Sequence, residues 1–145
     1  MKHIPLPREQ FGGYTDLIEI THEDLTEATA NTAQLIQALS LKAGDVVERV
    51  TTKLKTPFKD ASDAAYNTTT CIVGDGGDDD RYLVSQELNE NGTEILYKAG
   101  TGTRLAYTVD DTLDVIFGSM SAKSLSDIDT GKIHIYAEIV RLGNA

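Results

Sequence analysis

The sequence predicts an all-β fold: one antiparallel β-sandwich domain of jelly-roll-like form at residues 14–145, with an extended N-terminal arm at residues 1–13. Three observations support this prediction. Apolar residues recur mostly at every second position, as in strands that bury one face. Turn signals separate seven or eight short segments of this kind. A parallel sheet would need crossover helices, and only one segment, residues 24–41, could form a helix.

The first 13 residues predict an extended arm because Pro5 and Pro7 each bias the preceding residue toward extended backbone. The arm ends at the flexible pair Gly12-Gly13. Two placements are open for it. It could form an edge strand on the chain's own sheet, or it could lie on a neighbouring subunit or a larger assembly.

Four strands are predicted from alternation and from β-branched residues, and the contested segment adds a fifth. Residues 24–41 permit either a helix or a short turn followed by a strand over residues 34–41. We favour the strand, because the tight-turn sequence Lys42-Ala43-Gly44-Asp45 would join it to the next strand as a hairpin. The other strands are predicted at residues 14–20, at 46–54 with Pro57 ending it, at 68–73, and at 132–142, where Ile133, Ile135, Ala137 and Ile139 face one way.

Two more hairpins are predicted from turn signals. Residues 81–88 and 93–97 flank Asn91-Gly92, a dipeptide that tolerates the positive φ angles of tight hairpin turns. Residues 104–109 and 112–118 flank Asp110-Asp111. Both pairs are therefore expected to be neighbouring antiparallel strands.

The charge balance excludes several partners. The 145 residues contain 13 Lys and Arg against 23 Asp and Glu, a net charge of −10. Nucleic acids and anionic membranes bind clustered basic residues, so neither is an expected partner. No apolar run is long enough for a signal peptide or a membrane span, so we expect synthesis in the cytosol. The single cysteine, Cys71, is expected in the core.

Four carboxylates crowd into one glycine-rich turn, and they are the only metal candidates. Such oxygens could ligate calcium. The spacing departs from the calcium loop of helix-loop-helix proteins: counted from Asp75, position six is Asp80 and position twelve is Gln86. We therefore interpret the turn as a solvated loop and predict no metal and no cofactor. The candidates are Asp75, Asp78, Asp79 and Asp80.

No catalytic motif is present in the sequence. His3, His22 and His134 have no sequence-adjacent partner, and nucleophile and zinc-hydrolase motifs are absent. A carboxylate pair such as Asp111 and Asp114 is something that any acidic domain offers. We therefore expect a protein that is not an enzyme.

The order of several segments resembles that of structural proteins in the virions of tailed bacteriophages, in particular head decoration (cement) proteins. The resemblance covers most of residues 14–142. It rests on Leu41-Lys42-Ala43-Gly44-Asp45-Val46-Val47, Thr56-Pro57-Phe58, Ala65-Tyr66-Asn67, Gly74-Asp75-Gly76, Arg81-Tyr82-Leu83, Asp111-Thr112-Leu113-Asp114-Val115 and Thr130-Gly131-Lys132-Ile133-His134-Ile135.

This resemblance implies a jelly-roll-like sandwich, often a homotrimer on three-fold positions of a capsid, that locks adjacent major capsid subunits without catalysis or cofactor. The protein would then act on the capsid exterior after synthesis in the host cytoplasm, with the major capsid protein as its partner. The alternative is a carbohydrate- or receptor-binding β-sandwich module of a virion or host protein. The arm would supply the partner interface, through Ile4, Pro5, Leu6, Pro7 and Phe11.

Overall fold

The computed structural model describes residues 1–7, 9–66, 68–89, 97–100 and 104–144. It confirms an all-β fold of two antiparallel sheets. The described part also contains three single-turn 3₁₀ helices: His22–Asp24 and Leu125–Asp127 lie between strands, and Leu142–Asn144 follows the last strand. None of the described residues belongs to a helix long and apolar enough to cross a membrane. The strands are β1 (Lys2–Pro5), β2 (Asp16–Thr21), β3 (Gln34–Leu41), β4 (Asp45–Lys59), β5 (Thr70–Gly74), β6 (Leu83–Glu87), β7 (Tyr97–Ala99), β8 (Leu105–Ala106), β9 (Asp111–Phe117) and β10 (Thr130–Arg141).

The strands form sheet A, in the order β1-β2-β10-β4-β7 with β8 also paired to β4, and sheet B, in the order β3-β9-β5-β6. Eight of them pair as one nested hairpin: β2 with β10, β3 with β9, β4 with β7, and β5 with β6. A nested hairpin rolled into two four-stranded sheets is the jelly-roll connectivity. The sequence prediction of a jelly-roll-like sandwich is therefore correct.

The pairing of neighbouring segments was predicted wrongly. The turn at residues 42–45 joins β3 in sheet B to β4 in sheet A, so it crosses between sheets and is not a hairpin. The Asp110-Asp111 turn likewise joins β8 in sheet A to β9 in sheet B. The Asn91-Gly92 turn lies outside the described residues, but the described strands around it, β6 and β7, belong to different sheets. In a jelly roll, consecutive strands mostly alternate between sheets, and here β5 and β6 pair across the acidic turn instead.

The predicted strands themselves agree well with the structure. The contested segment forms β3, as favoured, and Cys71 is fully buried. On β10, the four alternate residues from Ile133 to Ile139 face the core. Pro57 does not end its strand: β4 continues to Lys59, because the pairing with β10 shifts register there and a bulge tolerates the missing N–H.

The core fills the space between the inner faces of the two sheets. Phe58 of sheet A packs against Phe117 of sheet B, with ring centroids 5.3 Å apart. Gly131 makes room for this pair, because a Cβ there would lie 2.3 Å from the Phe58 ring and its φ of +148° suits glycine. A hydrogen bond from the buried Thr52 hydroxyl to Gln86 also joins β4 to β6. The inner faces are thus fully used, and any partner must contact the outer faces, edges or loops.

Candidate functional site

The N-terminal segment lies on the chain's own sheet. β1 pairs with β2 from Lys2 to Pro5, and the Leu6 amide donates to the Thr15 carbonyl at 2.9 Å. The backbone is thus engaged, while most of the predicted interface side chains face solvent. Leu6 is half-buried, whereas Pro5 and Pro7 are exposed, and the exposed fractions are 42% for Ile4 and 41% for Phe11.

A buried carboxylate ties this segment to the sheet. Asp16, at the start of β2, accepts hydrogen bonds from His3 Nε2 at 2.6 Å, Thr15 Oγ1 at 2.6 Å and Arg141 Nη2 at 2.8 Å. Burial acts to raise the pKa of Asp16, but the bonds from Arg141, Thr15 and His3 outweigh it and lower that pKa. One charge therefore joins β1, β2 and the end of β10.

The segment between β1 and β2 is held against the outer face of sheet A. Gly12 and Gly13 adopt positive φ angles of 62° and 96°. The Arg49 guanidinium lies 4.0 Å from the centre of the Tyr14 ring and donates to the Gly12 carbonyl and, at 3.1 Å, to Glu138. This cation–π and ion-pair cluster fixes the path of the chain before β2.

Charged side chains alternate in sign across the rest of that outer face. His134 Nε2 lies 2.8 Å from a Glu19 oxygen, and Lys2 Nζ lies 3.9 Å from the same carboxylate. The hydrogen bond from His134 is the main reason that the pKa of Glu19 is lowered. The outer face of sheet A is therefore polar and paired, which suits contact with water.

The outer face of sheet B carries a row of apolar side chains, one from each strand. Leu35 of β3 is directly opposite Ile116 of β9, and Ile116 is opposite Ile72 of β5. Val84 continues the row on β6, beside Ile72 where the register shifts. Leu35 is 53% exposed and Val84 is 60% exposed. We call these four residues the apolar row.

The acidic turn between β5 and β6 is built around Asp75, which is almost fully buried. Arg81 donates to its two oxygens from Nε at 2.6 Å and Nη2 at 3.3 Å, and the Tyr107 hydroxyl donates at 2.8 Å. The amides of Gly77 and Asp78 donate to Oδ1 at 2.9 Å each. Burial acts to raise the pKa of Asp75, but Arg81, Tyr107 and the two amides lower it.

Two tyrosines complete this network. The Tyr82 and Tyr107 hydroxyls lie 2.7 Å apart, and both side chains are buried. Desolvation is the main reason that the pKa of Tyr82 rises to about 12, and it also raises the pKa of Tyr107. Both hydroxyls stay protonated at neutral pH and serve as hydrogen-bond donors within the fold.

The structure separates the four predicted metal candidates. Asp78, Asp79 and Asp80 place carboxylate oxygens within 4.8 Å of one another at the tip of the turn. Asp75 points the other way, toward Arg81. The pKa of Asp80 is raised, mainly by its side-chain contact with Asp78, then by desolvation and by the charges of Asp78 and Asp79. Repulsion at the tip and ion pairing at the base are therefore two distinct features of one loop.

Sequence reasoning missed the residues that organise these surfaces. Asp16 and Arg141 are 125 positions apart, so nothing local connects them. The apolar row did leave a signal. Strands β5 and β9 contain consecutive apolar residues, Cys71-Ile72-Val73 and Val115-Ile116-Phe117. Such runs are typical of strands covered on both faces.

Two solved structures share this fold along most of the chain. A chain of the acidic stable capsid structure of Helicobacter pylori bacteriophage KHP30 aligns with a TM-score of 0.56 and 12% identity, over 88% of this chain and 86% of that chain. A chain of the cyanophage Pam1 capsid asymmetric unit aligns with a TM-score of 0.58 and 21% identity, over 83% of this chain and 79% of that chain. No protein-family model and no curated protein matches the sequence. At these identities, the likeness establishes a shared jelly-roll fold.

Proposed function

We propose that this protein is a non-enzymatic structural protein of a bacteriophage virion, and specifically a head decoration (cement) protein. In this role it binds the outer surface of the major capsid shell and stabilises the shell. The observation that carries the proposal is the jelly roll shared, over 88% and 83% of the chain, with chains of two phage capsid structures.

The use of the ionisable side chains supports a binding role over catalysis. His3 contacts Asp16, His134 contacts Glu19, and Asp75 is enclosed by Arg81 and Tyr107. In each case the partner holds together strands or a loop of the same fold. A general acid or base would instead need to reach a substrate.

The distribution of charge supports a position outside the shell. The chain carries a net charge of −10, and exposed acids lie at strand ends, among them Asp78 and Asp79 at the turn tip and Asp110. If this acidic surface faced packaged DNA, the DNA phosphates would repel it. An acidic outer rim favours solubility and limits non-specific contacts.

The N-terminal segment supplies the proposed partner interface. Its backbone is fixed on sheet A, so docking would not have to order a free arm, and this lowers the entropic cost of binding. Ile4, Pro5, Pro7 and Phe11 present apolar surface for contact with a neighbouring subunit. The proposed assembly is a homotrimer seated on the major capsid protein.

Shell binding tests the proposal directly. Purified protein is mixed with empty shells assembled from the major capsid protein of the same phage, and occupancy is measured after the shells are pelleted. We expect saturable binding and a higher temperature of shell disruption. Deletion of residues 1–10 should lower the occupancy, provided that the truncated chain still unfolds cooperatively.

Point variants separate the interface from the fold. Phe11→Ser removes an exposed side chain and should lower occupancy without changing the melting temperature. Val109→Ser is the matched control, because Val109 is 67% exposed and lies outside the N-terminal segment. If the wild-type protein does not bind these shells, the decoration role is wrong.

A further inference from the structure

None of the described residues covers the two ends of the apolar row on sheet B. Leu35, Ile116, Ile72 and Val84 cross all four strands, and the two end residues are more than half exposed. A single exposed apolar residue needs no explanation, but a continuous row across a sheet is typical of an interaction site.

The charges of sheet B restrict what can cover this row. The four strands β3, β5, β6 and β9 contain no Lys, Arg or His, and their acids are Glu87, Asp111 and Asp114. A complementary surface must therefore combine apolar side chains with cations. Two copies of this face would repel each other, so symmetric face-to-face pairing is disfavoured.

The N-terminal segment of the same chain has the required chemistry. Residues 1–8 contain Lys2 and Arg8 but no acid, although the whole chain is strongly acidic; the amino group of Met1 is already paired with Asp24. Lys2 is 74% exposed at its side chain, and the same segment presents the apolar side chains of Ile4, 42% exposed, and Phe11, 41% exposed. Its strand, β1, is an edge strand of sheet A, and among the described strands it pairs with β2.

We propose that the N-terminal segment of one copy docks on the apolar row of a second copy. The inference rests on the proposed self-association and names the two surfaces that make it. Because the surfaces are different, the contact is heterologous and leaves one free surface of each kind on a dimer. Such contacts close into a ring when the rotation per subunit allows it, and a trimer is a ring of this kind.

The oligomeric state in solution, without any shell, tests this inference. Mass is measured by light scattering and sedimentation over protein concentrations up to about 1 mM, a range that includes weak association. Val84→Asp and Ile4→Asp should each weaken association at least tenfold. Val109→Asp, at an exposed position outside both surfaces, should leave it unchanged. All three variants should keep the wild-type circular dichroism and melting temperature.

Mixing the two defective variants distinguishes a heterologous contact from a symmetric one. Val84→Asp retains an intact N-terminal segment, and Ile4→Asp retains an intact apolar row. An equal mixture should therefore form a one-to-one complex that neither variant forms alone. If the apolar row paired with itself, the mixture would show no such complex.

Three outcomes would overturn the inference: a wild-type protein that stays monomeric throughout the range, normal association of Ile4→Asp, or no complex in the mixture. Shell binding tests the proposed function separately from the oligomeric state. A protein that associates as described and fails to bind shells contradicts the decoration role alone. A protein that binds shells as a monomer contradicts the contact proposed here and the proposed homotrimer, and leaves the decoration role standing.

Discussion

The strands of sheet A carry cations beside their acids, whereas the strands of sheet B carry acids and no cation. On sheet A, Arg49 contacts Glu138, His134 contacts Glu19, and Arg141 contacts Asp16. On sheet B, Asp114 is buried at 5% exposure, and its hydrogen bond comes from the neutral Thr112 hydroxyl at 2.5 Å.

This difference gives the two outer faces different roles. Away from the N-terminal segment, an outer face whose charged side chains form ion pairs is compatible with water. An apolar face with uncompensated acids gains from a partner that brings both apolar contact and positive charge. The comparison also predicts changes of opposite sign in the free energy of unfolding when the buried acid of each sheet is neutralised: a loss for Asp16 on sheet A and a gain for Asp114 on sheet B.

The largest effect is expected at the acidic turn that follows β5 of sheet B, where Asp75 has Arg81 as its cation. Asp75→Asn removes the charge that Arg81, Tyr107 and two amides stabilise. We expect a loss of about 2–3 kcal/mol in the free energy of unfolding, because one partner of a buried pair is left uncompensated. Urea denaturation measures it.

The same turn provides a matched control. Asp79→Asn neutralises an exposed carboxylate at the tip, where the neighbouring acids repel each other. It should leave the melting temperature unchanged or raise it slightly. If the two variants lost equal stability, the distinction between the ion-paired Asp75 at the base of the turn and the mutually repelling acids at its tip would be wrong.

The strands could be predicted from the sequence because alternation is local. β2 and β10 show strict alternation of buried and half-buried residues over most of their length. Their partners could not be predicted, since a tight turn looks the same whether it joins neighbours or crosses between sheets. Lys42–Asp45 is such a turn, and the buried Asp45 closes it by accepting from the Lys42 amide at 2.9 Å.

The partner interface stays a prediction. Ile4 and Phe11 were proposed for it because they lie in a segment that two prolines hold extended, and the structure shows that both side chains are exposed. The apolar row was missed, because Ile72 and Ile116 read as ordinary core residues until the register places them on the outer face. Long-range contacts such as that of Tyr107 with Asp75, 32 positions apart, likewise need the pairing of the strands.

A smaller effect is expected on sheet A. Asp16→Asn weakens the bonds to His3, Thr15 and Arg141, at a cost of about 1–2 kcal/mol at pH 7. Since the folded pKa of Asp16 lies below 3.8, its stabilisation is fully present above pH 3.8 and is lost as the pH falls through the folded pKa. The difference in the free energy of unfolding between wild type and Asp16→Asn should therefore disappear over the same pH range.

Hydrogen exchange checks where that loss occurs. Amides of β1 should exchange faster in Asp16→Asn, because the carboxylate holds His3 to the sheet. Amides in the middle of β9, in the other sheet, serve as the internal reference. Equal acceleration in both strands would mean that Asp16 does not act as a local anchor of the N-terminal segment.

The smallest effect, and one of opposite sign, is expected at Asp114 on sheet B. Desolvation raises the pKa of this carboxyl, and the charges of Asp111 and Asp75 raise it further. Asp114→Asn keeps an acceptor for Thr112 and removes the repelled charge. It should therefore stabilise the fold at pH 7, by less than about 1 kcal/mol.

The pH dependence makes this prediction specific. A raised folded pKa means that the wild-type carboxyl takes up its proton, and loses its penalty, as the pH falls through that pKa. The advantage of Asp114→Asn should therefore be present at neutral pH and vanish as the pH falls. The deficit of Asp16→Asn, which has the opposite sign, should also vanish in acid but at a lower pH, because the folded pKa of Asp16 is lowered whereas that of Asp114 is raised. Thermal melts of both variants at several pH values test the pair together. Destabilisation by Asp114→Asn at pH 7 would show that sheet B tolerates its acid as well as sheet A does, and the contrast between the two outer faces would then rest on the apolar row alone.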